Sequence, residues 1–116
     1  MAESVFSKIM AGEIAADIAH EDEHCIVIHD IHPQAPVHLL VIPRKPLRSM
    51  ADAEQQDQPL LGHLLLIAAE MARKFGIDNG YRLVANNGKA AGQTIFHLHF
   101  HIMGGRQQKE ADLIRH

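Results

Sequence analysis

The alternation His97-Leu98-His99-Phe100-His101-Ile102-Met103 constrains this chain more than any other feature of its sequence. Successive side chains of an extended strand point to opposite faces, so a period of two makes a ribbon with two chemically different sides. The pattern predicts a strand over residues 94–103. Phe96, Leu98, Phe100 and Ile102 would face the core, and His97, His99 and His101 would stand in a row on the other side. A merely solvated face would more naturally mix Thr, Lys and Glu. Three imidazoles in register next to a glycine-bearing loop point to chemistry.

Two chemistries compete for such a row. In an unbent strand the outer Cα atoms lie ~13 Å apart, at ~3.3 Å per residue. Three imidazoles so spaced would struggle to meet one ion at Zn–N distances of ~2.0–2.1 Å. Only a histidine pair with a remote ligand is comfortable, and the single cysteine, Cys25, suggests no obvious partner. No metal and no cofactor is therefore expected. Nucleophilic catalysis fits better. An imidazole, whose ordinary pKa is ~6.5, is largely neutral at pH 7 and can attack phosphorus without a metal, forming an N-linked intermediate that water hydrolyses. A histidine two residues on can donate to a phosphate oxygen or to the leaving atom. His99, with a histidine on each side, is the natural nucleophile.

The rest of the chain supplies a scaffold for that strand. Ser4 can cap a short helix with Val5, Phe6, Ile9 and Met10 on one face, ended by Gly12. Residues 18–21 and 25–30 read as strands, and residues 30–36 as a loop because two prolines remove donors. Residues 37–42 read as a buried strand stopped by Pro43. The three- and four-residue spacing of Leu61, Leu64, Leu65, Ala68, Ala72 and Phe75 predicts a helix over 59–75, with Asp57 as cap and Gly76 as stop. Residues 81–86 read as a strand, and 87–92 as a tight loop. Strands outnumber helices, which favours an α+β domain with a mainly antiparallel sheet.

At 116 residues the expectation is a single domain over 1–116. A net charge of −3 argues against coating nucleic acid. The N-terminus lacks the pattern of a signal peptide, and no run reaches the ~20 apolar residues of a membrane span. With one cysteine no internal disulfide can form, so a cytoplasmic location is expected. Of the ten histidines, His20, His24, His29, His32, His63 and His116 are read as structural or solvated.

The seven residues 97–103 resemble the His-φ-His-φ-His-φ-φ motif (φ apolar) that defines the histidine triad (HIT) superfamily. Phe6-Ser7-Lys8-Ile9, Glu13-Ile14, Asp30-Ile31-His32-Pro33-Gln34-Ala35-Pro36-Val37-His38, Leu40-Val41-Ile42-Pro43, Gly80-Tyr81-Arg82, Asn86, Gly92-Gln93-Thr94 and Gly104-Gly105 are similar to its nucleotide-binding protein (Hint) branch. The resemblance implies a HIT-like α+β fold, with a five-stranded antiparallel sheet, one long and one short helix, and a homodimer joined through its sheets. The helix at 59–75 and the strand at 81–86 are expected at the two-fold axis. It implies a purine nucleoside phosphoramidase acting on AMP- or GMP-type conjugates and aminoacyl adenylates.

In that pattern His99 becomes adenylylated and His101 contacts the α-phosphate and leaving group. His97 and His38 orient the nucleophile, and Asp30 accepts the ribose hydroxyls. Asn86, Gly92, Gln93 and Thr94 surround the phosphate, and Phe6, Ile9, Ile14, Ile28, Ile31 and Leu40 form the slot for the base. Thr94 stands where serine is familiar. The tail, 107–116, departs from the tryptophan-containing ending of the animal proteins, on the leaving-group side of the site. Two other functions fit the resemblance: a nucleotide-binding regulatory or scaffold protein, and a related triad hydrolase of dinucleoside polyphosphates.

Overall fold

A computed structural model describes residues 4–105; the tail at 107–116 and His116 lie outside the described residues. Ser4 caps helix α1 (Val5–Met10) reciprocally. Its hydroxyl accepts the Ser7 N–H, and the Ser7 hydroxyl accepts the Ser4 N–H. The helix ends at Ala11, and Gly12 follows with φ +80°, a left-handed turn that glycine adopts without strain. Five strands follow: β1 (Ile18–Glu21), β2 (Cys25–His29), β3 (Val37–Pro43), β4 (Tyr81–Val84) and β5 (Phe100–Gly104). They form one antiparallel sheet in the order β1-β2-β3-β5-β4. The long helix α2 (Gln58–Lys74) connects β3 to β4 after two short 3-10 turns.

Both faces of the central strands are covered, which is why β2 and β3 read as nearly continuous apolar runs. Cys25, Val27, Leu39, Val41 and Ile102 turn to one face and pack under Leu64, Ile67, Ala68, Met71 and Ala72 of α2. Ile26, Ile28, Leu40 and Ile42 turn to the other and pack on Phe6 of α1, with Ile9 and Ile95 alongside. α1 covers only part of that second face. Its short reach leaves a hollow beside His38, Leu40 and His101.

The structure corrects several expectations, among them the strand at 81–86, which ends at Val84. Asp57 occupies the cap position of α2, yet its side chain does not cap the helix. Its carboxylate accepts the Glu54 N–H and pairs with Lys45. The strand expected over 94–103 begins only at Phe100. The β3–β5 register runs from Val37 opposite Gly104 to Val41 opposite Phe100, so the next rung would set Pro43 against Leu98. Proline has no N–H to offer a ladder. Its carbonyl is taken by His97 Nε2 at 2.7 Å, and the Leu98 N–H turns to the carbonyl of Leu47 at 2.7 Å. Leu98 and Ile102 still join the core and Phe100 packs against it. Phe96 does not; it is exposed, with the Arg48 guanidinium over its ring.

Gly104 and Gly105 close the sheet where neighbours crowd it. A side chain at Gly104 would meet Ile77 at 2.9 Å and the Gly80 carbonyl at 3.1 Å, and Gly105 has φ +101° with Pro36 3.0 Å from the position of a Cβ.

Candidate functional site

A cavity of about 580 Å³ opens between α1 and the sheet. Its volume suits a small-molecule site. Its lining combines apolar Phe6, Ile9, Ile14, Ile28 and Leu40 with Asp30, Ile31, His38, His99 and His101 and with Asn86, Gly92, Gln93 and Thr94 of the loop after β4. All the anticipated site residues except His97 thus meet around one hollow, although they come from separate elements. Ile31 is 85 % exposed, so it stands at the mouth rather than inside a slot.

The hydrogen bonds determine where the histidine protons sit. His99 Nδ1 lies 2.7 Å from the His97 carbonyl, an acceptor only, so Nδ1 carries the proton and Nε2 keeps a lone pair. Burial lowers the His99 pKa from its ordinary value, an effect only partly offset by that hydrogen bond and the Asp30 charge. The side chain therefore rests as a neutral imidazole with a basic nitrogen.

A second chain of bonds reaches His101. The Gln34 N–H donates to His38 Nδ1 at 3.0 Å, which places the His38 proton on Nε2. That Nε2–H donates to His101 Nδ1 at 2.9 Å, so His101 carries its own proton on Nε2. A lone-pair imidazole and an N–H imidazole stand side by side, ring centroids 5.2 Å apart. Such a pair can chemically supply an attacking nitrogen beside a donor for developing negative charge.

His97 has a different place from the one expected. It is 3 % exposed and does not line the cavity. Its Nε2–H donates to the Pro43 carbonyl, and its Nδ1 accepts the Ser4 hydroxyl at 3.1 Å. Burial lowers its pKa as well. Phe6 touches both rings edge-on, at 6.1 Å from His97 and 5.0 Å from His99. His97 is thus a buried post whose carbonyl orients His99.

Asp30 Oδ1 accepts the His32 N–H at 2.8 Å, while Oδ2 lies 3.4 Å from His38 Nε2. In the loop after β4, Gln93 is 3 % exposed and its amide bonds Gly88, Arg48 and Ile95. Its side chain shapes the loop rather than pointing a free amide at a ligand. Asn86 Nδ2 braces the same loop through the Ala91 carbonyl, and Gly92 supplies the left-handed turn at φ +90°.

Sequence reasoning missed Ser4 as the partner of His97, 93 residues away, and Gln34 as the donor that selects the His38 tautomer. The Pro-Gln-Ala-Pro segment was the available signal for Gln34; none existed for Ser4 beyond its capping role. His29 and His32 also line the cavity, although the His29 ring packs edge-on against Phe75. Cys25 plays no part here: it is fully buried on the far face, where burial and the Asp22 carboxylate push its thiol up to about 12.

A five-stranded antiparallel sheet in which His38 of β3, His99 just before β5 and His101 on β5 meet at a cavity beside a short helix is the architecture of histidine-triad proteins. The family model of the HIT domain matches residues 11–108, and the chain belongs to the HIT-domain family. It is 55% identical over 104 residues to an uncharacterized HIT-like protein of Synechocystis, a match covering 90% of this chain and 91% of that protein. A crystal structure of a HIT family hydrolase from Legionella pneumophila superposes with a TM-score of 0.91 at 40% identity, covering 93% of this chain and 97% of the other. The histidine triad nucleotide-binding protein of Candida albicans gives a TM-score of 0.79 at 25% identity, over 93% and 85% of the two chains. Among the described residues, no helix is long and apolar enough to cross a membrane.

Proposed function

We propose that this chain is a purine nucleoside phosphoramidase of the Hint branch, a single-domain hydrolase that cleaves the P–N bond of AMP- or GMP-type conjugates. The observation that carries the reading is the protonation pattern of the cavity: His99 offers a lone pair at Nε2, and neighbouring His101 offers an N–H. His99 Nε2 attacks the α-phosphorus, and the bond to the amine breaks as that nitrogen takes up a proton from solvent, leaving a nucleotidyl-His99 that keeps its Nδ1 proton. Water then cleaves the P–N bond to His99, releasing the nucleotide and one proton to solvent and restoring the neutral imidazole. The His101 N–H stabilises the charged phosphate oxygens in both steps. The apolar lining of the cavity suits a purine base, and Asp30 suits the ribose hydroxyls. Gly92 and Thr94 border the space left for phosphate.

Turnover of an adenosine phosphoramidate, compared with a diadenosine polyphosphate, tests this reading. The phosphoramidate should be hydrolysed far faster, with the rate unchanged after exhaustive chelation. A preference for the polyphosphate, or activity lost to chelation and restored by zinc, would refute it. The same assay over pH checks the nucleophile. The attacking form is neutral, and burial lowers the pKa of His99 below 6.5. The acid limb of kcat/KM should therefore fall below pH 6.5, with full activity above it. An acid limb above that value would mean a different group limits the reaction.

The protein should act as a homodimer. β4 is an edge strand, and its Tyr81 and Leu83 are 37% and 39% exposed. Leu65 and Leu66 of α2 add apolar surface at 47% and 71% exposure. An open apolar edge is a liability unless a partner covers it. Light scattering at micromolar concentration should report twice the 12.9 kDa chain mass; a monomer would contradict the assignment.

A further inference from the structure

On the α2 face of the sheet, away from the nucleotide cavity, a second group of polar side chains converges on one oxygen. His20 Nε2 and His63 Nε2 each lie 2.8 Å from Asp22 Oδ2, and Cys25 Sγ lies 3.6 Å from it. The ligating atoms of His20, Asp22 and Cys25 all fall within 4.8 Å of one another. These side chains come from β1, the β1–β2 turn, the first residue of β2 and the first half of α2. Asp22 Oδ1 is occupied separately, accepting the N–H groups of His24 and Cys25, which holds the carboxylate with Oδ2 facing the group.

The backbone is shaped for this convergence. Ile18 stands opposite Ile28, yet His20 stands opposite Val27, so the β1 register slips between them. An unslipped ladder would set His20 opposite Ile26, whose side chain packs on α1. The slip aligns it instead with Val27, which packs under α2, where His63 is. Bulges re-aim side chains in this way.

We propose that His20, Asp22, Cys25 and His63 form a binding site for a zinc-class divalent ion, one that pins the β1–β2 turn to α2. Two imidazoles, a carboxylate and a thiolate are a tetrahedral zinc set, and the sulfur disfavours magnesium and calcium. Metal–ligand bonds of ~2.0–2.3 Å require donor separations on the order of 3.3–3.7 Å. The sulfur–oxygen distance already fits and the nitrogen–oxygen distances need to open by about half an ångström; His63, which lies outside the group of mutually close donors, must also swing toward His20 and Cys25 to complete the set. Binding displaces the thiol proton to solvent, and each imidazole moves its proton to Nδ1 so that Nε2 can ligate. Solvent reaches the group, because the side chains of His20, Asp22 and His63 are each partly exposed. With four protein ligands the site is closed to substrate, so its role is structural.

Cobalt(II) titration of the metal-free, reduced full chain tests the proposal, since Cys25 is the only thiol. One equivalent should produce a near-ultraviolet thiolate-to-cobalt band with the intense visible absorption of a four-coordinate ion, both abolished by added zinc. His20→Ala and His63→Ala remove partly exposed side chains and should fold normally. Each should weaken binding at least tenfold, and Cys25→Ser should eliminate the band. Zinc should raise the Tm of the wild type but not of His63→Ala. His101→Ala should bind cobalt as the wild type does. That control matters because Asp30, His38 and His101 also bring donors within 4.8 Å of one another. Absence of the thiolate band, binding untouched by His20→Ala and His63→Ala, or binding abolished by His101→Ala would each overturn the proposal. None of these results depends on phosphoramidate turnover, so failure of the metal site and failure of the proposed activity are separable.

Discussion

His99→Ala should fold, bind AMP and lose phosphoramidate turnover by roughly four orders of magnitude or more, the scale on which removal of a covalent nucleophile acts. No neighbour is placed to replace it. Both nitrogens of His97 are engaged, by Ser4 and by the Pro43 carbonyl, and the ring stands behind His99 rather than at the cavity. His101 Nδ1 already accepts the His38 proton. Binding should survive because the apolar lining of the cavity, Asp30 and the loop around Gly92 are untouched. His101→Ala removes a charge-stabilising donor instead and should cost ~10²–10⁴-fold. Mass spectrometry of wild type quenched during turnover should find an AMP adduct on the peptide that contains His99. An adduct on His97 or His101, or near-normal turnover by His99→Ala, would reassign the roles within the triad.

The contrast between His97 and His99 shows what a sequence pattern can and cannot carry. Alternation correctly separated Leu98 and Ile102 from His99 and His101, because local backbone geometry sets which side a residue takes. It could not reveal that Pro43, more than fifty residues upstream, ends the β3–β5 ladder before Leu98. That tertiary fact turned an expected row of three imidazoles into two at the cavity and one post behind them. The same limit applies to Ser4 and Gln34, whose hydrogen bonds to His97 and His38 set tautomers. Helix positions were legible because α2 has a long periodic stripe, and its expected and observed bounds differ by a single residue at each end. The cap was not: Asp57 has competing partners in Lys45 and Glu54. The histidines at positions 20 and 63 gave no sign of meeting, since a register slip and a helix dock bring them together.

Ile102→Ala should have the opposite signature to His99→Ala, a large loss of stability with the chemistry retained. Ile102 is fully buried on β5, flanked by Leu39 of β3 and Leu83 of β4. Its side chain belongs to the core packed under α2, on the far side of the sheet from the cavity. Truncation removes three buried carbons from a place where strands on both sides and a helix above restrict collapse. Such substitutions cost ~2–5 kcal/mol, against ~0.5–1.5 kcal/mol for the single methylene of Ile102→Val. For a chain of this length that corresponds to a fall in Tm of roughly 10–20 °C. The comparison has to be made at one protein concentration, because a dimer links folding to association. Well below the transition, kcat should stay within a few-fold of wild type, since Ile102 belongs to the core under α2 and takes no part in the hydrogen bond that fixes the His99 tautomer. Thermal unfolding followed by circular dichroism, paired with turnover measured at room temperature, separates the two effects. A variant that melts with the wild type would mean that the sheet is not held by this core. One that stays folded yet loses turnover as His99→Ala does would mean that packing beneath β5, rather than the tautomer of His99, limits the reaction.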